Sequence, residues 1–204
     1  MIMGLNHLMQ NSVKHFRTIT KHKILVMKEC FAVGLYWQGL THDLSKYTWT
    51  EFHIGCQYYQ GTRSPNNAER EAMGFSSAWL HHKGRNKHHY EYWLDYDVSG
   101  KSILAGMKMP TRYVVEMFLD RIAASKIYRG DEYQDRDPLV YFERSKDHYL
   151  MHPETMKLLD TLLKRLAKTG EEATYEYIRR NLIRGFRMRS IREYLWNHDR
   201  SCSQ

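Results

Sequence analysis

The chain of 204 residues carries 31 Lys and Arg against 23 Asp and Glu, a formal charge of +8, and is 42% hydrophobic and 26% charged. That suffices for one full domain with a real core, while only 4 Pro and 12 Gly argue against disorder, collagen-like repeats or a turn-rich β-sandwich. The cysteines, Cys30, Cys56 and Cys202, are odd in number and lack C-x-x-C spacing, so they read as reduced thiols of a cytoplasmic protein and not as a disulfide framework or thiolate metal site. The longest apolar stretch, 24–37, is broken by Lys28 and Glu29, and the N-terminus lacks the basic-then-apolar order of a signal peptide, so no membrane segment is expected.

Helical periodicity dominates the chain from the start. Over 11–38, His15, Ile19, His22, Val26, Cys30, Val33 and Trp37 recur every three or four residues on one face, with Ser12 as N-cap and Gly39 as stop. A second helix is predicted from His42 or Ser45 toward Tyr59, ended by the turn-forming stretch 61–67 with Pro65. Residues 68–82 read as a third, 83–86 as a break, and 88–96 as a short continuation. Pro110 suits the first turn of a helix carried by Tyr113, Met117, Asp120, Ala124 and Ile127, and 138–149 is a weaker candidate. Pro153 opens a helix through Lys168 that Gly170 stops, and 174–196 reads as a last amphipathic helix. No hairpin or alternating strand pattern stands out. The expected fold is all-α, with a main domain over 1–170 and a basic amphipathic helix over 171–204.

Basic residues are concentrated late, only 11 of the 31 lying in 1–100, which favours anionic partners, although a solvated basic surface explains the same count. Nine of the twelve histidines, by contrast, fall before residue 90. They include the dipeptide His42-Asp43 and two pairs, His81-His82 and His88-His89. Imidazole mixed with carboxylate suits Zn, Fe, Mn, Co or Ni. His22 lies on the apolar face of the first helix and Asp120 on the apolar face of its own, where a carboxylate is costly unless paired, hydrogen-bonded or bound to metal. Singly, His22 is better explained by a hydrogen-bonded core histidine, and Asp120 as well by an arginine partner; jointly, they point to an ion.

The order His22, His42-Asp43, Asp120 resembles the ligand signature of the HD-domain superfamily of metal-dependent phosphohydrolases, which are all-helical. The stretch His42-Asp43-Leu44-Ser45-Lys46 is similar to that superfamily's His-Asp-x-Gly-Lys, with Ser45 in place of glycine. More closely, residues 10–170 resemble a bacterial and phage family without established activity. The shared strings are Gln38-Gly39-Leu40-x-His42-Asp43-Leu44-Ser45-Lys46, Ala78-Trp79-Leu80-His81-His82, Arg85-Asn86-x-His88-His89, Met109-Pro110, Glu116-Met117-x-x-Asp120 and Pro153-Glu154-Thr155. The resemblance implies an HD-like helical bundle holding one or two divalent ions on His22, His42, Asp43 and Asp120, with Asp43 bridging. One histidine of each later pair, His82 and His88 before His81 and His89, would complete a second site. His15, seven residues from His22 on the same face, stays open as first ligand.

The expected activity is hydrolysis of a phosphoester, a nucleotide first, with Asp43 anchoring the metals and Lys46, Arg85 and Asn86 holding phosphate oxygens. Two other readings compete: an HD-fold di-iron oxygenase built on four His and two Asp, and a nucleic-acid-binding or interaction protein on a structural metal site. The last rests on 175–200, where seven arginines interleave with aromatic and apolar residues.

Overall fold

The computed structural model describes residues 5–184, and it is an all-α bundle with one small hairpin. Helix α1 (Leu5–Val33) buries the expected stripe: Ile19, His22, Val26, Cys30 and Val33. It starts before Ser12, whose Oγ bonds back to Leu8 O and is no N-cap. It also ends earlier than predicted, because Gly34 takes φ 89° and the Leu35 N–H returns to Cys30 O. The chain leaves the helical register there, so Trp37 lies 72% exposed instead of continuing the buried face.

The short α2 (Tyr36–Thr41) then folds back on α1. The approach needs glycine at 39, where a Cβ would stand 3.0 Å from Cys30 Cβ and 3.1 Å from Met27 O. A 3₁₀ turn at Leu44–Tyr47 leads to α3 (Trp49–Gln57). The helix predicted over 68–82 is instead two, α4 (Pro65–Met73) and α5 (Ser77–Lys83). Gly74 at φ 79° ends the first, and Ser76 caps the second by accepting from Trp79 N–H.

The continuation expected over 88–96 is likewise corrected. A 3₁₀ turn at Tyr90–Trp93 gives way to β1 (Leu94–Tyr96), antiparallel to β2 (Leu104–Gly106) with Asp95 opposite Ala105. Helices α6 (Thr111–Arg129), α7 (Asp137–Glu143) and α8 (Pro153–Tyr177) follow. Gly170 breaks α8 as predicted, with φ 78° and ψ 177°, and a π-helical segment Ile178–Arg184 continues beyond. The rest of the basic helix predicted over 174–196, with three of its six arginines, lies outside the described residues. Among the described residues no helix is long and apolar enough to cross a membrane.

Helix α6 is the centre of the bundle. Every residue from Val114 to Leu119 is buried, so this helix is enclosed by neighbours instead of presenting one face to solvent. It packs on Val26, Cys30 and Val33 of α1, on Phe142 of α7, and on Leu159, Leu162, Leu163 and Leu166 of α8, whose spacing makes one stripe. Each such side chain contributes roughly 1.5–3 kcal/mol on burial. Thr174, Tyr175 and Ile178 are also buried, so the chain past Gly170 packs against the main domain.

One half-buried ionic network ties these three long helices together. Lys126 of α6 donates to Glu29 of α1 at 2.9 Å and pairs with Glu171 of α8 at 2.6 Å. Burial, opposed by Lys126 and assisted by Glu171, raises the Glu29 carboxyl to about 7 from an ordinary 4.5. The folded state therefore holds a proton that the unfolded chain releases. The resulting stability is complete below pH 4.5 and is lost as pH rises through about 7. Glu29→Gln, which imitates the protonated form, is expected to flatten thermal stability between those limits. At pH 8 it should exceed the parent chain by on the order of 1–3 kcal/mol. Melting curves across pH check this, and an unchanged slope in the variant would contradict it.

Candidate metal centre

The dipeptide His42-Asp43 sits where α2 ends. Lys23 of α1 donates to the carbonyls of Leu40 and His42, at 2.8 and 3.0 Å, and holds that end in place. Asp43 then takes φ 54° and ψ 24°, the one non-glycine at positive φ among the described residues. A left-handed aspartate costs something in backbone energy and is a feature that clusters at functional sites. Here it turns two consecutive side chains into the interior, leaving His42 1% and Asp43 2% exposed.

Two groups of ligand atoms meet at Asp43, each with all atoms within 4.8 Å of one another: His22, His42, Asp43 and Asp120, and then Asp43, His82, His88 and His89. The Asp43 carboxylate divides between them. Its Oδ2 lies 3.4 Å from His42 Nε2 and 3.8 Å from His22 Nε2, while Oδ1 lies 3.3 Å from His82 Nε2 and 3.4 Å from His88 Nε2. Asp120 closes the first group at 2.9 Å from His22 Nε2 and 3.5 Å from His42 Nε2. His89 closes the second, its Nε2 standing 2.9 Å from that of His82.

All six residues expected as ligands are thus brought together. His89, left open in its pair, joins them. His81 turns aside to Glu51, at 2.6 Å. His15 is in neither group: its ring packs beside Phe52 and Tyr59 and over Gly55, where a Cβ would come within 2.0 Å of its Nε2. Of His15 and His22, it is His22 that faces Asp120.

Two buried glutamates, not singled out from sequence, orient the imidazoles. Glu116 Oε1 accepts from Nδ1 of His42 at 3.0 Å and lies 3.2 Å from Nδ1 of His88. Glu51 Oε2 accepts from Nδ1 of His82 at 2.8 Å. An imidazole whose Nδ1–H is held by a carboxylate presents the Nε2 lone pair, the arrangement that metal-ligating histidines use. Glu116 precedes Asp120 by four residues, one helical turn, and this i, i+4 relation was the available signal. Glu51 lay in a stretch with no such marker.

Buried polar atoms normally find partners. His42 Nε2, His88 Nε2 and both Asp43 oxygens are buried and have no hydrogen-bond partner among the described residues. Lys46 Nζ comes within 2.6 Å of Asp43 Oδ2, an ion pair without hydrogen-bond direction. Mutually facing acceptors of this kind, nitrogen and oxygen with no sulfur, fit divalent transition metals. The buried His, Asp and Glu groups could therefore hold metal ions.

Against burial, Asp43, Asp120 and Glu116 raise His42 well above the usual imidazole range, and Asp43 with Glu51 raises His82, so a cation taken up at either Nε2 displaces a proton. Burial, then the charges of His88 and His82, hold His89 well below the usual imidazole range, which keeps its lone pair free. Burial opposes ionisation of Asp43, but His42, Lys46 and His82 overcome it and hold the carboxyl far below its ordinary value. Burial likewise opposes the Lys46 charge, and Asp43 with Asp120 raises its pKa.

A cavity of about 210 Å³ opens onto both groups and is lined by His22, Asp43, Lys46, His82, His89 and Asp120. A larger one, about 660 Å³, extends from Trp79, His89 and Asp120 along α6 and α7. Neither Arg85 nor Asn86 lines these spaces. Asn86 Nδ2 is committed to Ser45 Oγ and His82 O, both at 2.8 Å, and the exposed Arg85 lies against the His81 carbonyl.

Residues 11–165 match the family of unknown function DUF5662, and the chain belongs to that family, with every residue of both groups inside the matched segment. No curated protein and no solved structure matches the chain.

Elemental analysis of the purified protein tests the shared carboxylate. Asp43→Ala is expected to remove all bound metal, whereas Asp120→Ala and His88→Ala each remove about half. Glu116→Gln should retain both ions with affinity weakened about 10–100-fold. Full metal content in Asp43→Ala would remove the site.

Proposed function

We propose that the chain is a metal-dependent phosphohydrolase of the HD-domain kind, acting on a phosphoester, with a nucleotide the first substrate to try. The reading is carried by four buried ligand atoms without hydrogen-bond partners, two of them the oxygens of the one carboxylate shared between two histidine groups. The order of the ligands along the chain, their helical setting and the lysine three residues after Asp43 support it.

Divalent ions held by the two groups would supply Lewis acidity for a phosphoryl oxygen and acidify water for attack on phosphorus. The remaining chemistry belongs to side chains. Lys46, 29% exposed and lining the smaller cavity, holds a nonbridging phosphate oxygen and balances the charge of Asp43 and Asp120. Glu116 and Glu51 keep His42, His88 and His82 in one tautomer and one orientation.

Turnover of a panel of nucleotides and model phosphoesters, with Mn, Co, Ni, Fe and Zn supplied separately, tests this reading. The expected result is metal-dependent phosphate release that a chelator abolishes and that Lys46→Ala lowers by about 10²-fold with metal content unchanged. No turnover with any metal counts against it. His22, His42, His82 and His88 give a specific reason to keep the oxygenase reading beside it, since with Asp43 and Asp120 they make up four His and two Asp. Iron in the protein as purified, with oxygen consumed and no phosphate released, would favour that alternative.

A further inference from the structure

The larger cavity has a chemistry of its own. Five arginines line it: Arg63, Arg70, Arg121, Arg129 and Arg144. Arg63 is engaged bidentately by Glu71 at 2.6 Å through both terminal nitrogens, and Arg129 pairs with Asp137 at 3.4 Å. Arg121 differs from both. Among the described residues no carboxylate lies within ion-pair distance of it, and its Nε is buried without a hydrogen-bond partner. Its guanidinium lies over the rings of Phe142 and Tyr149, 5.8 and 5.6 Å from their centres. Stacking holds the plane of the group while leaving its N–H edge unused, and that edge matches two oxygens of one phosphate or carboxylate.

Position adds the second part of the case. Arg121 follows the ligand Asp120 directly on α6, and both residues line the same cavity, together with His89 and Trp79. Arg121 is half-buried, with its Nε sealed from water and no carboxylate paired to it, so an anion in the cavity meets a cation that solvent only partly screens.

We propose that Arg121 binds a second anionic group of the substrate. The ligand would then carry one phosphoester at the metal groups and a separate phosphate or carboxylate in the arginine-lined cavity. This rests on the phosphohydrolase reading for the first anion only. Arg121 touches substrate away from the reacting phosphorus, so it sets specificity and takes no part in bond breaking. A simple phosphomonoester uses the metal groups alone; a molecule charged at two points uses both regions.

The test reads binding and needs no turnover. Inorganic phosphate, pyrophosphate and triphosphate are titrated calorimetrically into the Mn-saturated full chain, with excess Mn present and metal content measured in every sample. In the parent chain, affinity is expected to rise about tenfold or more from phosphate to the longer anions. Arg121→Gln should lose that increase while keeping phosphate affinity and metal content. Arg121→Lys, which retains charge and stem but not the planar fork, should recover part of it and guards against a folding defect in the first variant. Equal affinity for all three anions in the parent chain overturns the proposal, as does an increase that survives in Arg121→Gln. A chain that shows the increase yet hydrolyses no phosphoester leaves the second anion site standing and removes only the phosphohydrolase reading.

Discussion

Asp43 is the point on which the rest of the centre depends. One carboxylate serves two sets of imidazoles, an oxygen to each, at a position only 2% exposed. For that, its neighbour His42 must also point inward, which a continuing helix would forbid because consecutive side chains diverge by about 100°. The chain meets the demand by ending α2, adopting left-handed backbone at Asp43, and fastening the preceding carbonyls to Lys23. The close packing of Gly39 on α1 sets the distance at which His42 can reach His22 and Asp120. Loss of any of these would move the shared carboxylate relative to both groups at once.

The second constraint is that α6 serves core and site together. Val114, Val115, Phe118, Leu119 and Ile122 are fully enclosed, and Glu116 and Asp120 stand among them one turn apart. Ligands anchored on such a helix are held by the same packing that holds the fold, which suits a centre where small displacements matter. The arrangement also has an energetic consequence. Several ionised groups are buried in one place, each costing several kcal/mol if left without a partner. Carboxylate, imidazole and lysine offset one another there, and bound cations would complete the balance. Any cation bound there would therefore link its affinity to the stability of the fold.

The helical stripe of α1 and the apolar setting of Asp120 were legible because burial imposes a 3.6-residue period on any helix packed against a core. His22, His42, Asp43 and Asp120 follow from that period and one dipeptide, and the paired histidines from their clustering. Other features left no such trace. Gly34 and Gly74 break helices through positive φ, whereas Gly39, read as the stop, instead permits a close contact. The hairpin has strands of three residues, too short for alternation to register. Glu51 meets His82 across 31 positions, and Glu116 meets His42 across 74, separations that no local pattern encodes. The choice among His81, His82, His88 and His89 was open for the same reason, since it is made by Glu51 and Glu116 and not by the pairs themselves.

Exposure within the two groups finally orients the centre. His42, Asp43, His82 and His88 are sealed, while the Asp120 side chain is 18% exposed and His89 is partly open. Those two line both cavities, together with Trp79 and Tyr128. Each ligand group therefore has one member that borders both cavities, Asp120 or His89, while His42 and His88 line neither. Asp120 and His89 thus stand where the Lys46-lined cavity meets the arginine-lined one. The sealed ligands then decide whether ions bind, and the exposed walls decide what approaches them.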